Sequence, residues 1–200
     1  TVNAMNLRHV VITSVDRDDI KNDYGAEIWA ETIEQIRIQA PECTIEVLTP
    51  DFRNYASAFE KVFKAEPDIF SHNIECVERI SRQVRPQSDW NRSLSVLQAS
   101  IEWGLKTKTG MMVGLGENDS EVLETMQEIA ELGITIFNIG QYLQPTLNHL
   151  PVQRFVHPDI FKMYKERGLE MGFRVVESGP LVRSSYHADE QAKRLEIANN

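Results

Sequence analysis

The sequence predicts an α/β fold, a parallel sheet with helices outside it, built from five or six strand-then-helix units. Three observations carry this. Short β-branched runs alternate along the chain with stretches of helical apolar spacing. The segments joining them are too short to hold further domains. Polar residues gather just after the strand ends, which is where parallel α/β architectures bind ligands. Eight units close a full barrel, whereas five or six give an open or partial one, and pattern alone leaves a doubly wound sheet open as an alternative.

Residues 1–7 read as the tail of a helix running into His9-Val10-Val11-Ile12-Thr13-Ser14, a strand buried on both faces. Asp16-Arg17-Asp18-Asp19 follows, either as a ligand-facing stretch or as an ordinary charged loop. Residues 24–39 place Ala26, Ile28, Trp29, Ile33 and Ile36 near helical spacing, and Pro41 closes that helix. Ile45-Glu46-Val47-Leu48 is the second strand, and residues 55–65 form an amphipathic helix with Ala56, Phe59, Val62 and Phe63 inward. The third strand, 67–75, ends in His72, Asn73 and Glu75. If it stays extended that far, alternation sets Asn73 and Glu75 on one side, where an amide and a carboxylate suit a ribose or an amino group. His72 is open to two readings, a ligand or a hydrogen-bonded structural imidazole.

Ser88 is the expected N-cap of the next helix, whose buried stripe is Leu94, Val96, Leu97 and Ile101. Residues 106–117 form a strand followed by Gly114 and Gly116, which permit close backbone approach. Asn118 or Asp119 caps the following helix. Residues 134–140 are a strong strand delivering Gln141-Tyr142-Leu143-Gln144-Pro145, whose Tyr142 and Gln144 either line a site or only pack and cap a loop. A helix from 158 to 171 opens on Pro158, and the last strand is 173–177. Beyond it, Gly179 and Pro180 turn the chain sharply and present Arg183, Ser184, Ser185, Tyr186 and His187. By composition alone that cluster is an exposed loop. Residues 193–200 read as a mobile polar tail.

A chain of 200 residues with 42% hydrophobic content buries one good-sized core, so one domain over 1–192 is expected. The formal charge of −9 opposes a general nucleic-acid binder, although Arg82, Arg85, Arg92, Lys106 and Lys108 fall close together. No apolar run approaches the roughly 18 residues of a membrane span, and the first residues lack a signal-peptide pattern, so a cytoplasmic protein without membrane contact is expected. Cys43 and Cys76 fit no zinc or iron–sulfur spacing and read as buried small hydrophobes.

Arg183-Ser184-Ser185-Tyr186-His187-Ala188 resembles the C-terminal signature of the lipoyl synthases, radical S-adenosylmethionine (SAM) enzymes. The likeness runs through most of the chain. Thr13-Ser14-Val15-Asp16-Arg17-Asp18-Asp19 is similar to a stretch that family sets beside the SAM methionyl group, and His72-Asn73-Ile74-Glu75 to its motif at the same βα position. The segment from Gly110 through Gly114 to Glu117 resembles the adenine-contacting part of radical SAM barrels, and Gln141-Tyr142-Leu143-Gln144-Pro145 is similar to another family motif. The resemblance selects a partial (β/α) barrel and implies SAM contacts at Ser14, Asp16, Asn73, Glu75 and Gly114.

It further implies reductive SAM cleavage, hydrogen abstraction at C6 and C8 of a protein-bound octanoyl chain, and sulfur supplied by an auxiliary cluster. Ser185 matches the serine that ligates that cluster, with Arg183 beside it; an extended chain after Pro180 also puts Ser185 and Arg183 on one side. The implied partners are an octanoylated lipoyl-carrier domain or H protein and an electron donor such as ferredoxin or flavodoxin. The family holds two 4Fe-4S clusters through Cys-x4-Cys-x5-Cys and Cys-x3-Cys-x2-Cys sets, and neither set is in this sequence. The expectation is therefore a fragment of a parent enzyme, inactive alone and with an unpaired sheet edge. Two other readings stand beside it: a phosphate-binding aldolase or isomerase barrel using Lys106 or Lys108, and a non-catalytic truncated homologue that binds SAM or a lipoyl-carrier domain.

Overall fold

The computed structural model describes residues 1–197. Six strands form one sheet in the order β1-β2-β3-β4-β5-β6, and every neighbouring pair is parallel. They are β1 (His9–Thr13), β2 (Thr44–Leu48), β3 (Ile69–Ser71), β4 (Thr107–Val113), β5 (Ile136–Gln141) and β6 (Val175–Gly179). Chain order and spatial order coincide, as in a barrel wall; a doubly wound sheet reverses its strand order at a switch point. The sheet stays open between β1 and β6, so the architecture is a partial barrel.

The crossovers are α1 (Ala26–Gln39), α2 (Ala56–Lys64), α3 (Glu78–Val84), α4 (Trp90–Glu102), α5 (Asp119–Glu131) and α6 (Pro158–Met171), with α7 (Ala188–Ile197) last. Their ends follow local chemistry. Asn118 and Glu121 form a reciprocal capping box at α5, and Pro158 opens α6 where its missing N–H costs nothing. Asp89 caps α4 by accepting from the Arg92 amide at 3.0 Å, in place of the expected Ser88, since a carboxylate one residue on reaches the third amide of the helix. The short helix α3 has no separate signal in the sequence, and residues 1–7 form turns closed by the Met5 amide on the Thr1 carbonyl.

Side chains alternate across β5, and this alternation sets the layers. Phe137 and Ile139 join Met126, Phe161 and Tyr164 of the outer helices in the main core. Ile136 instead packs with Ile69, Val175 and, from α7, Ala192 and Leu195. Thus α7 lies against the concave face of the sheet. The expected tail from 193 onward differs accordingly: α7 runs to Ile197 because Ala192 and Leu195 bury an apolar stripe, and residues 198–200 lie outside the described part.

Candidate active site

The site forms at the C-terminal ends of the strands, on the concave side. Ser14 and Asp16 follow β1, Asn73 and Glu75 follow β3, and all four line one cavity of about 140 Å³ together with Thr49, His72 and Arg85. Asn73 and Glu75 also line a second cavity of about 350 Å³, whose far wall is Gly140, Gln144, Arg183 and Ser184. The two cavities therefore share a wall made by the loop after β3.

That loop owes its shape to an early end of β3. Pairing stops at Ser71, and the chain rejoins the sheet only at a single bridge from Glu75 to Met111, with Glu75 at φ 71°. A non-glycine residue in the left-handed region is uncommon and is kept where surroundings over-determine it. Here the Glu75 amide donates to Gly110 O at 3.2 Å and the Met112 amide to Glu75 O at 2.8 Å, fixing both sides of the strained residue. Burial pushes the Glu75 carboxyl above the usual range, while Arg85 and Asn73 pull it down.

Arg85 is the residue that sequence reasoning passed over. It lines the 140 Å³ cavity, and among the described residues its guanidinium has no hydrogen-bond or ion-pair partner. By contrast Arg92 is tied to Asp51 at 2.9 Å and Arg37 to Asp68 at 2.7 Å. An unpaired cation beside a half-buried carboxylate complements a zwitterion: Arg85 offers two parallel N–H donors to a carboxylate, and Glu75 or Asp16 attracts an ammonium. The only sequence signal was its place in a basic stretch, which usually marks a solvated face.

His72 is structural. Its Nδ1 meets Thr49 O at 2.9 Å and its Nε2 meets Ser93 Oγ at 3.0 Å, so both nitrogens are used, and burial holds its pKa down. Tyr142 caps its loop by donating to Leu150 O at 2.9 Å, whereas Gln144 reaches the larger cavity. Gly114 lies outside the walls of both cavities. At φ 100° its position is one L-residues avoid, and a Cβ there would collide with Gln141 and the Arg154 carbonyl, so packing requires this glycine. Met111 and Met112 of the same segment do face the 350 Å³ cavity.

The serine pair departs from the extended geometry expected after Pro180. The Tyr186 amide donates to Arg183 O at 2.9 Å, closing a turn in which Ser184 and Ser185 are the central residues. A turn abolishes the alternation that would pair Ser185 with Arg183. Ser184 Oγ accepts from Asn73 Nδ2 at 2.9 Å and lines the cavity, while Ser185 is exposed beside it. Arg183 also lines it, with Nη1 donating to Val182 O at 2.6 Å.

Lys108 does not suit Schiff-base chemistry at this mouth. It is 1% exposed and paired with Glu46 at 2.8 Å, with His9 on the other carboxylate oxygen at 3.8 Å. Cys43 and Cys76 are both buried and free, and burial pushes the Cys76 thiol up to about 12. Neither lines either cavity, and no group of three metal-ligating side chains occurs among the described residues. The described residues also include no helix long and apolar enough to cross a membrane.

Strand order, an open barrel and a polar mouth define a class, and comparison with known proteins agrees. The chain belongs to the radical SAM superfamily, whose sequence profile matches residues 2–129. Its curated relatives include lipoyl synthases: it is 54% identical to that of Rubrobacter xylanophilus over 96% of this chain and 60% of the relative, and 50% identical to that of Flavobacterium psychrophilum over 94% and 65%. The chain thus spans about three fifths to two thirds of these relatives' length. Among solved structures, methylornithine synthase superposes with TM-score 0.63 at 12% identity, covering 96% of this chain and 67% of that one. Streptococcus suis SuiB bound to S-adenosylmethionine gives 0.63 at 10%, covering 86% and 38%. At such identities these two show the shared fold.

Proposed function

We propose that this chain forms the SAM-facing wall of a lipoyl synthase that inserts sulfur at C6 and C8 of a protein-bound octanoyl group. The observation that carries this is the 140 Å³ cavity where an unpaired Arg85 stands opposite Asp16 and Glu75 beside the amide of Asn73. Those groups fit the methionyl carboxylate, the ammonium and a ribose hydroxyl of SAM, and the Gly110–Met112 face of the adjoining cavity suits the adenine. SAM supplies the hydrogen-abstracting radical chemistry when bound. The chain's own residues orient it: Arg85 fixes one end, Glu75 is held in its strained position by two backbone hydrogen bonds, and Asn73 links this wall to Ser184.

The residues present do not suffice for a 4Fe-4S cluster, because such clusters are held mainly by thiolates and both thiols here are buried away from the cavities. We therefore read Ser185 as a single ligand to an auxiliary cluster whose cysteines come from elsewhere, on the strength of the family motif, and place Arg183 near that cluster. An octanoylated lipoyl-carrier domain or H protein as substrate, ferredoxin or flavodoxin as electron donor, and a cytoplasmic setting belong to the same reading. The test is SAM binding by the complete enzyme. Arg85→Met, Asn73→Ala and Glu75→Ala should each weaken it by roughly 1–3 kcal/mol with cluster content retained. Normal SAM affinity in all three variants would refute the assignment.

A further inference from the structure

Beneath the serine turn lies a pair of buried amide side chains. Asn138 of β5 is 4% exposed, and its Nδ2 donates to two carbonyls of the turn, Arg183 O at 3.3 Å and Ser184 O at 3.2 Å. Gln191 of α7 is fully buried, and its Nε2 donates to Tyr186 O at 2.7 Å and to Asn138 Oδ1 at 3.4 Å. Both acceptors of Gln191 are oxygens, so the network itself fixes the orientation of each amide. Three of the turn's four carbonyls are held this way.

The chain gives up something for this arrangement. Among the described residues Gln191 Oε1 is buried with no partner, and an unpaired buried acceptor is destabilising. A methionine of similar volume would fill the same space without that cost, so the amide is explained by its donor. Gly140, one layer along β5, removes the Cβ that would strike Val182 O, which lets the chain descend onto the sheet just before the turn. The concave face is thereby shaped to hold residues 182–186 in one place.

We propose that Asn138 and Gln191 are positioning residues that fix the Arg183–Tyr186 turn, and through it the two serine hydroxyls, at the rim of the larger cavity. This deepens the reading of Ser185 as a cluster ligand and rests on it for its functional meaning. Neither amide touches a reacting atom. Amides do not titrate near neutral pH, so the turn is held by donors whose strength is constant while charged groups around the mouth change state.

Hydrogen exchange in the complete protein, measured without clusters loaded, tests the clamp directly. In Gln191→Met the Tyr186 and Ala188 amides should exchange about tenfold faster, while the β5 amides and the global denaturation midpoint stay unchanged. Gln191→Glu adds a second arm that also covers a Met variant that fails to fold. Its protonated acid retains an O–H donor and its carboxylate has none, so protection of Tyr186, corrected for intrinsic rates, should be regained as pH falls. After reconstitution, both variants should show altered auxiliary-cluster spectra with SAM affinity within about twofold of the parent. Unchanged Tyr186 and Ala188 exchange in Gln191→Met, or pH-independent exchange in Gln191→Glu, would overturn the proposal. If Ser184→Ala and Ser185→Ala both leave the cluster spectrum intact, the ligand reading fails while the exchange result on the clamp stands.

Discussion

Replacing Lys108 by methionine separates a structural ion pair from a reactive lysine. Lys108 Nζ and Glu46 Oε1 are 2.8 Å apart with side chains 1% and 0% exposed. Their attraction is about 6 kcal/mol at an effective dielectric of 20, and the cost of taking both ions out of water is of the same order, so the intact pair is near break-even. Lys108→Met leaves Glu46 charged and buried, and it then takes up a proton. Neutralising a carboxyl of ordinary pKa 4.5 at pH 7 costs about 3.4 kcal/mol, which sets the expected loss and agrees with the usual 3–5 kcal/mol for a broken buried pair. Burial already pushes the Glu46 pKa up, and losing Lys108 pushes it further. The folded variant then binds more protons than the unfolded chain between the ordinary and the raised pKa. Its stability therefore falls as pH rises, and the deficit should shrink by about 1.4 kcal/mol per unit from pH 7 to pH 5. Urea denaturation of parent and variant at several pH values measures this. The double variant Glu46→Leu, Lys108→Met should recover most of the loss. A variant as stable as the parent at pH 7, a deficit that grows on acidification, or a borohydride-trapped substrate adduct on Lys108 would refute the reasoning.

Ser185→Ala in the complete enzyme should leave 5′-deoxyadenosine formation largely intact while sharply reducing lipoyl product in the same anaerobic single turnover. Ser184→Ala should be milder on product but should loosen the loop after β3, because Ser184 accepts from Asn73; the reverse order of product loss would count against Ser185 as the ligand. Gly140→Ala forces Val182 and the following turn outward and should reduce lipoyl product without weakening SAM binding, read by isothermal titration beside product analysis. Cys76, with its thiol pushed up to about 12 by burial, should resist iodoacetamide at pH 8 in the folded protein and react after unfolding; rapid native labelling would contradict its placement.

The sequence by itself determined the layered α/β plan. Its β-branched runs and apolar helical stripes are local signals, and local signals survive without knowledge of neighbours; so do the start of α5 at Asn118 or Asp119 and the opening of α6 on Pro158. It also placed Ser14, Asp16, Asn73 and Glu75 at strand ends, and parallel packing brings such ends together at one mouth, where the four share a cavity. Tertiary structure alone decided the rest. Arg85 became a site residue because among the described residues no carboxylate forms an ion pair with it, while Arg92 found Asp51, a distinction invisible in a run of cations. Residues 188–197 became a helix against the concave sheet because Ile69, Ile136 and Val175 from three separate strands give Ala192 and Leu195 an apolar partner. Ser184 rather than Ser185 met Asn73 because carbonyls of the turn are gripped by Asn138, some 45 residues earlier, and by Gln191. Each of these outcomes depends on which distant group a side chain meets, polar or apolar, and that is settled by packing in three dimensions rather than by the spacing of residues along the chain.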